Sequence, residues 1–252
     1  MSAPRIVLTD VYKRFGANEV LRGLTLEVLP GETIVVLGAS GSGKSVMLKH
    51  IIGLTRADRG AIRVDDLAVD ELDDEQLVPV RRRVGFLFQA GALFDSMDVF
   101  DNIAFPLREA GWDPARVEHR VPETLGLVDL PEDTATKFPS SLSGGMRKRV
   151  ALARAIAVTP EAILYDEPTT GLDPVTSNVI NDLIRSVQRK LCVTSIVVTH
   201  DIGSAFRVAD RIAFLHEGQI RFVGTVAEAR SGVDPLLSAF MEGRSWEGAK
   251  HA

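Results

Sequence analysis

The chain has 252 residues, 45% hydrophobic and 25% charged, which is the make-up of a globular protein long enough to bury a sizeable core unaided. Its 34 acidic residues against 29 basic ones give a formal net charge of −5, which argues against a general affinity for nucleic acid or anionic lipid. A lone cysteine, Cys192, excludes an intrachain disulfide and a cysteine-rich metal cluster, so a reducing compartment is expected. The first residues show no secretory signal pattern, and no window approaches the roughly 20 apolar residues of a spanning helix. Any membrane crossing is therefore expected from another chain.

Residues 5–11 and 22–28 alternate as strands around a turn at Gly16-Ala17-Asn18-Glu19, which predicts a small antiparallel sheet. The apolar run Ile34 to Leu37 predicts a strand buried on both faces, followed by a Gly/Ser loop and a helix from Lys44 to about Leu54. Further buried strands are predicted at Val84 to Phe88, Ala162 to Tyr165, Ser195 to Thr199 and Arg211 to Leu215. The fold class is thus α/β: a mostly parallel sheet core covered by helices, with a small antiparallel β subdomain and an inserted helical subdomain. The expected division is a core of residues 1–88 and 159–230, a helical insert of 89–158 and a C-terminal tail of 231–252.

Gly38-Ala39-Ser40-Gly41-Ser42-Gly43-Lys44-Ser45 fits the pattern GxxxxGK[ST] and lies between a buried strand and a helix, where phosphate binding needs it. Backbone N–H groups around Gly38, Ser40, Gly41 and Gly43 close on phosphates, Lys44 reaches the β- and γ-phosphates of ATP, and Ser45 offers a hydroxyl to Mg²⁺. A plain flexible turn is the competing reading. Asp166 and Glu167 end a buried strand, the edge at which doubly wound sheets bind ligands; Asp166 would enter the Mg²⁺ shell and Glu167 act as general base. An acidic strand-end turn before Pro168 is the bland reading. Ser143, Gly144 and Gly145 open a helix-forming run and form either a second phosphate site or a Ser cap with a glycine hinge.

In this order the motifs resemble those of the nucleotide-binding subunit of ABC (ATP-binding cassette) transporters, over residues 5–225. The resemblance makes Phe15 the adenine-stacking aromatic, residues 38–45 the Walker A loop and Gln89 the Q-loop residue, catalytic and Mg²⁺-ligating. Leu142 to Met146 become the signature sequence, Asp166 and Glu167 the end of Walker B, Leu172-Asp173 the D-loop and His200 the catalytic switch histidine. Met146 departs from the family, where many members have Gln. On the residues alone, Phe15 is also a candidate core aromatic with Tyr12 as rival stacker, and Gln89 a strand cap. His200 also reads as a helix N-terminal residue bonded locally, and Asp173 as an N-cap before Pro174. Arg147, Lys148, Arg149 and Arg154 read as a solvated helix face rather than a nucleic-acid patch.

Residues 91–103 and 142–149 further resemble the ATPases of Mce/Mla-type lipid transporters. That resemblance implies a homodimer at the cytoplasmic face of the inner membrane, peripheral to an integral permease, with an Mce-type substrate-binding protein and a small STAS-type subunit as partners and no nucleic acid. Leu93, Phe94, Val99, Phe100 and Phe105 are expected to form the groove that receives the permease, or else to be core. A soluble ABC ATPase acting on DNA or the ribosome is the rival class, and an importer subunit for another solute the nearer alternative. Residues 235–241 predict a short helix with an apolar stripe that packs on the core, while 244–252, with Trp246, are expected to reach a second subunit.

Overall fold

Alternating apolar residues bring β1 (Ile6–Phe15) and β2 (Asn18–Val28) together as an antiparallel hairpin, with Phe15 opposite Asn18 across Gly16 and Ala17. Both strands run longer than the expected spans because their partly exposed distal ends pair with each other, which the apolar alternation does not mark. β3 (Thr33–Leu37) is buried along its whole length and leads through the glycine loop into α1 (Lys44–Ile51). β4 (Arg59–Val64) then pairs antiparallel with β1 and with the short β5 (Leu67–Ala68), giving the sheet order β2-β1-β4-β5. The computed structural model describes Ala3 and residues 5–244. The chain falls into two units, Met1–Val80 with Ile196–Ala252, and Arg81–Ser195.

In the second unit, α2 (Val78–Arg83) runs into β6 (Val84–Leu87), after which helices take over: α3 (Val99–Glu109), α4 (Pro114–Leu127) and α5 (Gly144–Ile156). β7 (Ala162–Asp166) then pairs in parallel with β6, from Val84 opposite Ala162 to Leu87 opposite Tyr165, and α6 (Pro174–Leu191) follows. α5 reaches this pair closely: a Cβ at Gly85 would stand 2.5 Å from the Ala155 carbonyl oxygen. Apolar residues of α3, α4 and α5, among them Val99, Ile103, Leu107, Val121, Leu125 and Leu152, form the core of the insert. Val99 is therefore core and not part of the expected groove, whereas Phe94 and Phe105 are exposed with ring centres 5.0 Å apart.

The chain returns to the first unit through β8 (Thr194–Thr199), α7 (Ile202–Val208), β9 (Arg211–His216), β10 (Gln219–Thr225), α8 (Val226–Arg230) and α9 (Pro235–Met241). Here the strands lie in the order β10-β9-β3-β8, with β9 parallel to β3 and β10 antiparallel at the edge. β4, β5 and β10 were not among the expected strands; each is short or half-exposed. The stripe of α9 packs on its own unit, with Leu237 fully buried and the Phe240 ring 5.4 Å from that of Phe214. The expectation for 244–252 and Trp246 lies beyond 244, outside the described residues.

Asn102 holds the turn that carries Phe94. Its Oδ1 accepts from the Phe94 N–H at 2.9 Å, and its Nδ2 donates to the carbonyls of Phe94, Met97 and Asp98 at 3.1, 3.1 and 2.9 Å. Asn102→Ala should destabilise the protein by roughly 2–4 kcal/mol in urea titration, because several loop groups lose their partner at once.

Candidate functional site

The phosphate loop depends on close backbone approach. A Cβ at Gly38 would lie 2.5 Å from the Leu215 carbonyl oxygen of β9, and Gly43 adopts φ 104°, left-handed territory that a side chain would strain. Gly43 also begins α1 with no side-chain cap, so the first N–H groups of that helix meet no capping oxygen from Gly43. Lys44 is 5% exposed and lies back over the loop, donating from Nζ to the carbonyls of Gly38 at 2.8 Å and Ala39 at 3.0 Å. Ser45 follows in the first turn, and Ser40 and Gly41 are exposed at the loop tip. Such a cradle fits a chain of phosphates, and the Ser45 hydroxyl is a hard oxygen donor of the kind Mg²⁺ takes.

The two candidate aromatics of the same unit differ in exposure. Tyr12 is committed to packing: its hydroxyl would stand 2.8 Å from a Cβ at Gly23, and the Arg59 guanidinium lies 4.1 Å from its ring centre. Phe15 is 49% exposed, with the Lys13 ammonium 5.4 Å from its ring, and is not a core residue. His200 is exposed immediately after β8. It precedes α7 rather than lying in its first turn, because Asp201 is the N-cap and accepts from the Ser204 N–H.

The second unit gathers Gln89, Ser143, Gly144, Gly145, Asp166, Glu167 and Asp173. Asp166 and Glu167 end β7 almost fully buried. Glu167 has φ 48°, a left-handed conformation that costs a side-chain-bearing residue about 1–2 kcal/mol. Its carboxylate Oε2 accepts from Thr170 Oγ1 at 3.1 Å, and its carbonyl accepts from the Thr170 N–H at 3.2 Å. Strain of this kind at the end of a strand re-aims the side chain, and Thr170 fixes where it points.

Lys148 joins this acid to the Gln89 segment. It is buried rather than solvated, and its ammonium donates to the Gln89 carbonyl and lies 3.5 Å from that of Glu167. Burial pulls the Lys148 pKa down, and the charges of Asp166 and Glu167 oppose that shift. The expectation of a solvated basic face is corrected at Lys148, while Arg147 is exposed and Arg149 and Arg154 are partly so. Arg147 donates to the Leu142 carbonyl at 2.6 Å, Arg149 to that of Asp129 at 2.9 Å, and Arg154 to those of Ala92 and Gly91 at 2.8 and 3.0 Å. Loop carbonyls as well as solvent are the partners of this face.

Ser143 caps α5, accepting from the Met146 N–H at 3.2 Å, so the capping reading holds at this position alongside any role towards phosphate. Asp173 caps α6 in the same way, accepting from the Val175 and Thr176 N–H groups at 3.0 Å and from Thr176 Oγ1 at 2.5 Å. The Thr176 bonds hold its carboxyl below the usual range, led by that from the hydroxyl. Thr176 also links the two motifs, since a Cβ at Gly145 would lie 2.6 Å from its Cγ2. Sequence reasoning missed Lys148, Thr170, Thr176 and Asn102 as site-building residues. Lys148, Thr170 and Thr176 each stand within three residues of a motif, but nothing in their type marks them.

The ABC transporter family model matches residues 21–170. A probable ribonucleotide transport ATP-binding protein (mkl) of Mycobacterium leprae is 40% identical over 240 residues, covering 95% of this chain and 69% of its own length. The methionine import ATP-binding protein MetN of Brucella abortus is 39% identical over 225 residues, 89% of this chain and 61% of its own. Among solved structures, the ATP-binding cassette MJ0796, a dimer in a post-hydrolysis state bound to ADP and Pi, matches with TM-score 0.80 and 33% identity over 88% of this chain and 98% of its own. The cbiO1 protein of Clostridium perfringens, part of the ABC transporter complex cbiONQ, matches with TM-score 0.83 and 25% identity over 96% of this chain and all of its own.

The Gly145–Thr176 approach is testable. Gly145→Ala should lower stability by roughly 1–3 kcal/mol through overpacking, and Thr176→Ser should restore much of it in the double variant, since only the methyl is in the way. Calorimetric melting of the four proteins of the cycle checks the rescue.

Proposed function

The chain belongs to the ABC transporter family as an ATPase using ATP and Mg²⁺, and from that premise we propose that it is the energy-coupling subunit of a lipid transporter. Within it, Phe15 stacks on adenine, residues 38–45 hold the phosphates with Lys44 on the terminal pair, and Ser45, Gln89 and Asp166 serve the Mg²⁺ shell. Bound Mg²⁺ supplies charge neutralisation for the developing phosphates. Glu167 takes the proton of the attacking water, a role typically worth about 10² to 10⁴ in rate, and His200 donates to the γ-phosphate. Ser143, Gly144, Gly145 and Asp173 of a second copy complete each nucleotide site in a head-to-tail homodimer. The observation that carries the reading is the uncapped start of α1 over the glycine loop, with Lys44 already directed into it.

The cargo rests on narrower ground. Relatives of nearly equal identity bear the names of a ribonucleotide transporter and a methionine importer, because cargo never touches the nucleotide site. The resemblance of residues 91–103 and 142–149 to Mce/Mla-type ATPases favours phospholipid or a related lipid. The permease would dock at the exposed Phe94 and Phe105, with an Mce-type binding protein and a small STAS-type subunit completing the complex. No described helix is long and apolar enough to cross a membrane, in keeping with a peripheral place on the cytoplasmic face of the inner membrane. An importer of another solute is the second reading, and the MetN relative favours it.

Two chains of net charge −5 carrying triphosphates repel, so association should require Mg²⁺-ATP. Glu167→Gln should retain ATP and accumulate as a dimer, and sedimentation showing the same monomer fraction with and without Mg²⁺-ATP would refute the scheme. Lys44→Ala should impair nucleotide binding, whereas His200→Ala should slow turnover with affinity nearly unchanged; fluorescent-ATP titration beside an ATPase assay separates the two. For cargo, the complex purified with its permease should show ATPase stimulation and ATP-driven transfer of labelled phospholipid. Stimulation by methionine or ribonucleosides instead would decide for the importer reading.

A further inference from the structure

β6 and β7 end in register. Leu87 stands opposite Tyr165, so Gln89 and Glu167 lie two residues beyond the same rung of a parallel pair. Two loop carbonyls thus emerge at the strand ends, and Lys148 of α5 places its ammonium at both, donating to that of Gln89 and lying 3.5 Å from that of Glu167. Lys148 comes from 59 residues away from the first and 19 from the second, so neither contact is a by-product of local chain geometry. Ser143, the cap of the same helix, is five residues earlier, about 7 Å along the axis.

We infer that Lys148 is a positioning residue for ATP hydrolysis: it ties the signature helix to the Q-loop backbone and to the seat of Glu167, so that the placement of α5 sets the aim of the base. The inference rests on the assignment of Glu167 as general base. The chemistry suits the task. An ammonium has three donors and a flexible stem, and it follows two carbonyls through a small displacement without breaking both bonds. Such a support suits Glu167 because its backbone is strained at φ 48°, and Thr170 holds the carboxylate from the following turn while Lys148 reaches the carbonyl. A cation at this place also offsets the charge of the two buried acids.

A purely structural tie would lower the number of folded molecules, whereas a positioning tie lowers turnover in molecules that still bind ATP. The test is Mg²⁺-ATP hydrolysis by the full chain, with kcat normalised to sites titrated by fluorescent ATP, for wild type, Lys148→Met, Lys148→Arg and Glu167→Gln. Lys148→Met should lose at least about ten-fold in kcat with KM within about two-fold of wild type, and Lys148→Arg should recover a clear part of the loss. The inference is overturned by a Lys148→Met kcat within about two-fold of wild type, by a KM that moves as far as kcat, or by Lys148→Arg faring no better than Met. Should the Met variant bind no nucleotide, Lys148→Gln is judged by the same criteria. An active Glu167→Gln would instead remove the base assignment itself, which keeps the two failures apart.

Discussion

One open helix end organises the nucleotide half of this protein. Helices α3 to α9 all begin on a side-chain cap, supplied in turn by Asp98, Asp113, Ser143, Asp173, Asp201, Thr225 and Asp234. α1 begins on Gly43 and has none. A capping oxygen there would satisfy the N–H groups and the positive end of the helix dipole, and both would then be lost to an anionic ligand. Keeping that end open leaves the loop to be shaped by other means: a left-handed glycine at the cap, a buried strand leading in, and the β9 carbonyl pressed against Gly38.

The other unit meets a different constraint, the placing of a strained acid. Glu167 is itself left-handed where the chain leaves β7, and in the same unit several main-chain carbonyls of loops must find donors. The basic residues of α5 satisfy these carbonyls one after another, at Gln89, Gly91, Ala92 and Asp129. Cations on a helix thereby do the work of a strand edge, and loops that bear function are held without being made part of a sheet.

The strands that lead to the glycine loop and to Glu167 were legible because each is a continuously apolar run, and such runs leave few alternatives to a buried strand. β10 escaped notice for the opposite reason. It is an edge strand with every other residue half-buried, and its sequence carries charge and glycine within the alternation. The basic helix was misread because periodicity tells which residues share a face and not what stands opposite; the carbonyls of Gln89 and Glu167 arrive from distant segments. Phe15 and Tyr12 were inseparable by type, and which of them is packed depends on Gly23 and Arg59, which meet Tyr12 through contacts the chain order does not reveal.

β9 serves two masters through adjacent residues. The Phe214 ring faces Phe240 of α9, while the carbonyl of Leu215 bears on Gly38 at the root of the phosphate loop. The last described helix and the nucleotide cradle therefore lean on the same short piece of chain. A fluorine probe on Phe240 would report on that strand through Phe214, and so offer a spectroscopic vantage point on the loop without altering Gly38 or Leu215.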